Sequence, residues 1–113
     1  MPISKINTRR LNDSKEVLGI PKLRFLWHEY IEQSNQNWQN MEASDWETRR
    51  QIFHNWRSSS QVFGMDDFAR LCQTIEDKIL KHHFDGLEQK IAESRNVYNQ
   101  STGDVGIIFL QME

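Results

Sequence analysis

One cysteine, two prolines and five glycines are all that this 113-residue chain has of the residues that staple, break or loosen a backbone. A single thiol, Cys72, cannot form an internal disulfide, which suits a reducing compartment. No stretch approaches the run of about 20 apolar residues that a membrane-spanning helix needs. The amino-terminal segment Met1-Pro2-Ile3-Ser4-Lys5 lacks the apolar core of a secretory leader. The expectation is a cytoplasmic chain without membrane insertion. A net charge of −2 and a pI near 6.1 leave no polybasic footprint, so nucleic acid is not an expected partner. No Walker loop or dinucleotide fingerprint is present. His82-His83 is the one pair inviting a metal reading, but adjacent residues do not share a helix face. No cysteine or carboxylate at ligand spacing accompanies them. Neither a metal site nor a cofactor is expected.

Aromatic residues, by contrast, are plentiful: four tryptophans and six phenylalanines. The length fits one domain over 1–113 with a modest core, and large rings let so small a core reach adequate burial. Apolar residues recur with helical periodicity. Residues 1–6 read as a loose arm. A first helix is expected over about 8–18, capped by Asn7 and closed by Gly19. Pro21 suits the first turn of a second helix that runs to about Met41. Its apolar stripe is Leu23, Trp27, Tyr30, Ile31, Trp38 and Met41. Ser44-Asp45-Trp46-Glu47 reads as a capping box opening a third helix over 45 to about 63, and Gly64 supplies the exit.

Asp66 and Asp67 favour the first turn of a fourth helix. It would end near Phe84, with Phe68, Leu71, Cys72, Ile75 and Ile79 inward. Asp85-Gly86-Leu87-Glu88 resembles another capping start, for a fifth helix through about Gln100. Residues 101–104 read as turn chemistry. The run Val105 to Leu110 fits either an extended segment or one more helical turn, so 101–113 is a tail without an assigned structure. Long amphipathic helices joined by short loops predict an all-α fold. The expected form is an antiparallel up-down four-helix bundle with a short extra N-terminal helix.

The chemistry concentrates in residues 52–64. At 3.6 residues per turn, Ile52, Phe53, Trp56 and Phe63 share one side of the third helix. His54, Arg57, Ser58 and Gln61 fall on the other. An imidazole on a wet helix face, with a cation one turn on and little bulk nearby, can hold a phosphoryl group. An ordinary imidazole, with a pKa of about 6.5, is substantially neutral at pH 7 and offers a nucleophilic nitrogen.

This stretch resembles the histidine-containing phosphotransfer (HPt) domain, whose motif is His-x-x-Lys-Gly-Ser/Ala followed by x-x-x-x-Gly and an apolar helix. His54 matches the phosphorylated histidine. Arg57 stands at the lysine position, Ser58 at the first glycine, Ser59 at the small residue and Gly64 at the last glycine. Phe68, Leu71, Cys72, Ile75 and Glu76 fit the helix that follows. The closest match covers about 44–80, and the helical layout fits almost the whole chain. Arginine for lysine replaces a point charge with a planar fork.

The resemblance implies a stoichiometric phosphoryl carrier and not an enzyme, since the chain has no room for an ATP-binding kinase domain. His54 would accept a phosphoryl group from the receiver-domain aspartate of a hybrid sensor histidine kinase. It would pass the group to the aspartate of a response-regulator receiver. Magnesium would sit in the partner receiver, and the carrier would be a monomer. Arg57, Ser58, Ser59, Gln61 and Gly64 would stabilise the phosphoryl group or shape the docking face. Gln73 and Glu76 stand where some members of the family hydrogen-bond the histidine ring. The alternative is a non-catalytic helical adaptor that binds receivers or other partners, with His54 buried or blocked. The stimulus, the kinase, the regulator and the direction of flow are not encoded legibly. Cys72, on a core face, reads as a packed hydrophobe, and the tryptophans read as core.

Overall fold

The computed structural model describes residues 5–112. Five helices follow in order: α1 (Thr8–Leu18), α2 (Ile20–Asn40), α3 (Trp46–Gln61), α4 (Asp66–Leu80) and α5 (Leu87–Leu110). No strand occurs among the described residues. A short first helix and four longer ones surround one hydrophobic core, which fits a four-helix bundle with an added N-terminal helix. The core is largely aromatic: Trp27, Tyr30, Trp38, Phe53, Trp56, Phe63, Phe68, Tyr98 and Phe109 are all buried. Most of their rings meet edge-on or tilted, as between Trp38 and Trp56 at 4.6 Å and Phe68 and Tyr98 at 5.3 Å, while Trp27 stacks on Tyr30 and Phe109. Such pairs add to the apolar burial that drives folding.

The expected stripes are the ones that turn inward, with Ile31, Ile52 and Leu71 half-buried at their margins. Asn7 caps α1 by accepting from the Arg10 amide, and Gly19 closes it at φ 83°. Pro21 falls in the first turn of α2, where a missing N–H costs nothing.

Several expected caps and boundaries differ in the structure. Asp45 is the cap of α3, not Ser44. The Asp45 carboxylate accepts from the Thr48 amide at 2.8 Å, while the Ser44 hydroxyl turns back to the Asn40 carbonyl. Glu47 does not reach back, because Arg50 engages it. The third helix stops at Gln61, and Val62 to Gly64 form the turn. The fourth helix ends at Leu80 rather than near Phe84. There His82 adopts φ 57° and the amides of His82 and His83 close onto the carbonyls of Ile79 and Lys78. The fifth helix starts behind Gly86 at φ 70°, with no side-chain cap.

The largest departure is at the far end, because 101–104 are not a turn. The fifth helix continues to Leu110, with Ser94, Tyr98, Ser101, Val105 and Phe109 on one buried stripe. Burial of that stripe overrides the poor propensity of Ser101, Thr102, Gly103, Asp104 and Gly106. Part of the presumed loose arm, residues 1–4, lies outside the described residues. Lys5 to Asn7 are tied down: the Asn7 amide donates to Gly64 O at 2.8 Å and its side chain to Asp66 at 2.8 Å.

Two devices hold α3 in place. Arg49, buried, makes a bidentate pair with Glu88 at 2.9 and 3.0 Å and donates to the Ser44 and Glu42 carbonyls. Its guanidinium also lies 4.6 Å over the Trp46 ring. On the other side α3 packs most extensively on α4. No helix among the described residues is long and apolar enough to cross a membrane.

Candidate functional site

The outer face of α3 carries Glu47, Arg50, His54, Arg57, Ser58 and Gln61 at steps of three and four, which is one side of a helix. Phe53, Trp56 and Ser60 are buried on the opposite side, so core packing fixes which way the polar row points. The His54 side chain is 52% exposed. From α4, Glu76 reaches it: the carboxylate Oε2 lies 2.8 Å from His54 Nδ1. Its side chain is only 7% exposed. A carboxylate is an acceptor, so the neutral ring carries its proton on Nδ1. Nε2 keeps its lone pair.

The same Glu76 oxygen receives Arg50 Nη1 at 3.4 Å. Arg50 in turn donates from Nε and Nη2 to the two oxygens of Glu47 at 2.8 and 2.7 Å. These bonds from Arg50 hold the Glu47 carboxyl below its usual range, and the bonds to Glu47 push the Arg50 guanidinium further up. Glu47, Arg50, Glu76 and His54 thus form one chain of alternating charge and hydrogen bonding. The sequence pattern assigned Glu47 to a capping box and gave Arg50 no role, so neither was expected at the site. The available signal was their position on the polar face, Glu47 seven and Arg50 four residues ahead of His54.

The remaining candidates divide. Arg57 and Ser58 lie one turn beyond His54, Arg57 half-buried and Ser58 exposed. Gln61, a turn further, is half-buried. Ser58 and Ser59 both donate to the Asn55 carbonyl, at 3.3 and 2.9 Å. Ser59 and Asn55 turn away from His54 and line a groove of about 570 Å³ between α2 and α3, floored by Tyr30 and Trp56. Gly64 is not at the imidazole. It is buried in the α3–α4 turn at φ 74°, its position crowded by the Asn7 backbone. Gln73 is exposed on α4, one turn ahead of Glu76, and the ring's hydrogen bond goes to Glu76.

No group of three or more potential ligands among the described residues could hold a metal ion. His82 and His83 are exposed beyond α4, and His82 meets the Phe84 ring edge-on. Cys72 is fully buried, and burial, then the neighbouring Glu76 charge, pushes its thiol well above the usual range. That opposes thiolate chemistry.

No family model, curated protein or solved structure matches this chain.

Proposed function

We propose that the protein is an HPt-type phosphorelay intermediate, built as an antiparallel up-down bundle and carrying a phosphoryl group on His54. One observation supports this reading above the others. Glu76 engages Nδ1 of a half-exposed imidazole, which leaves Nε2 as the nucleophile. In the proposed step the Nε2 lone pair attacks the phosphorus of a receiver aspartyl phosphate. The bond from phosphorus to the aspartate oxygen breaks, and the carboxylate leaves with the electron pair. The ring keeps its Nδ1 proton and becomes cationic, and the Glu76 carboxylate balances that charge. Arg57 is the cation nearest in sequence for the phosphoryl oxygens. The reverse step delivers the group to a second receiver.

In this reading the chain is a monomeric, cytoplasmic carrier and not an enzyme. Its partners are a hybrid sensor histidine kinase and response-regulator receivers, which supply magnesium. The adaptor alternative requires a buried or blocked His54, and a side chain that is 52% exposed speaks against it.

His54→Gln tests the proposal. The variant is expected to lose acceptance from a phosphorylated receiver while its helicity and melting stay close to wild type, because the ring is outside the core. Undiminished labelling of the variant would overturn the assignment.

A further inference from the structure

The buried Glu76 carboxylate poses an electrostatic problem that the phosphotransfer reading does not by itself resolve. A buried anion against an imidazole favours the protonated, non-nucleophilic ring. Arg50 stands where it can offset this. Its Nη1 is 3.4 Å from the Glu76 oxygen that His54 also uses, and its own side chain is anchored by two bonds to Glu47. We infer that Arg50 is a positioning residue for the phosphotransfer proposed above. It balances the Glu76 charge and holds that carboxylate against Nδ1, which leaves Nε2 turned free.

The groups of α3 and α4 nearest this pair in contact or in helical register are Glu47, Arg50 and Arg57 from α3 and Glu76 and Cys72 from α4. Of the others on these helices, Arg49 is engaged by Glu88, Asp66 by Arg10 and Asp67 by Arg70, and Asp77 and Lys78 follow Glu76 on α4. Glu47 is exposed and committed to Arg50. Cys72 is neutral, since burial opposes its ionisation. Arg57 lies on the far side of His54 from Arg50 along the helix. Arg50 is thus the cation in direct contact with Glu76, and it acts on the proton inventory of a ring it does not touch.

Removing Arg50 leaves Glu76 facing the imidazole alone. Protonation of the ring then persists to higher pH, and a neighbouring unit charge at this range moves ionisation by about one to three pH units. The acid limb of the rate–pH profile for phosphorylation should move up by at least about one unit in Arg50→Gln. Near the wild-type limb that is a loss of about tenfold, recovered at higher pH. Arg50→Lys, which keeps the charge, should restore most of the lost rate. Glu76→Gln should move the limb down. In the double variant Arg50→Gln/Glu76→Gln, with both charges gone, the ring titration should return close to wild type, while the rate stays reduced because the Glu76 carboxylate no longer balances the cationic ring.

The experiment measures phosphorylation by phosphoramidate against pH, alongside NMR titration of the His54 ring and its ¹⁵N tautomer signature. Matching upward shifts in the rate limb and in ring titration for Arg50→Gln, with the ring titration reversed in the double variant, support the role. An unshifted ring titration in a folded Arg50→Gln protein overturns it, and so does a uniform loss of rate at all pH values. The NMR arm does not depend on phosphorylation. If wild type is never phosphorylated but the ring titration still moves with Arg50, the phosphotransfer reading fails while the charge coupling stands.

Discussion

The Trp56 indole donates to the Ser34 hydroxyl across α3 and α2 at 2.9 Å, on the side of α3 turned away from His54. Core packing and site presentation are therefore opposite faces of the same four helical turns. Trp56 is 3% exposed and touches the rings of Trp38, Phe53, Phe68 and Tyr98. Replacing it with alanine should cost about 3–5 kcal/mol. Replacing it with phenylalanine should cost less, since most of the ring remains and one hydrogen bond of about 1 kcal/mol is lost. Chemical denaturation of the two variants checks the order, and an alanine variant that unfolds like wild type would contradict the assignment of the buried face.

Ser58→Trp probes the approach to His54. Ser58 is exposed one turn beyond the imidazole, so an indole there leaves the core alone and stands in the path of a protein donor. A displacement of about 1 Å from reacting distance can cost roughly a hundredfold in rate. Transfer from a phosphorylated receiver should fall by about that factor or more, and labelling by phosphoramidate should fall much less. Equal losses with both donors would assign Ser58 a role through its hydroxyl or the local fold.

Gly64 and Gly86 both have positive φ, 74° and 70°, but their surroundings differ. A Cβ at Gly64 collides with the Asn7 carbonyl, whereas one at Gly86 meets nothing within 4 Å. Gly86→Ala carries only the conformational penalty, about 1 kcal/mol. Gly64→Ala adds a backbone clash and should cost clearly more, about 2–4 kcal/mol in total. Thermal melts of the pair decide this. Equal destabilisation would mean that the contact with Asn7 contributes nothing.

Asp45 makes acid stability sensitive to the α3 cap. Bonding from the Thr48 amide holds its carboxyl below the usual range. A folded-state value below the unfolded one, about 3.9, means the charged cap stabilises the native state above that pH. The contribution is lost as pH falls through the lower folded value. Asp45→Asn keeps an acceptor without a titration, so the stability gap between wild type and variant should change between about pH 5 and pH 2 and be flat above it. A gap constant across that window would rule out a titrating cap.

The helices were largely legible because burial follows their apolar stripes, and His54 was legible because the opposite face of α3 is polar. The slip from Ser44 to Asp45 reflects two adjacent residues that can each cap a helix. The Ser44 hydroxyl bonding back to Asn40 and the competing Arg50–Glu47 pair together decide against the box. Local sequence hid the end of α5: Ser101, Gly103 and Gly106 read as turn formers, yet Tyr98, Ser101, Val105 and Phe109 already held the stripe's spacing. Arg50 was hidden because its significance is relational. A surface-spaced arginine gains a role only when α4 brings Glu76 against it, and that juxtaposition is tertiary.

The stitching of α1 to the α3–α4 turn has a kinetic meaning. Asn7 reaches Asp66 across 59 positions, Ser14 donates to the Val62 carbonyl across 48, and Arg10 pairs with Asp66 at 3.2 Å. An isolated helix of 11 residues is marginal in water. These contacts must close a long loop before they return any free energy. The first of the five helices in chain order is thus expected to be among the last to gain lasting order. Its amide protection would record when the turn that receives it has formed.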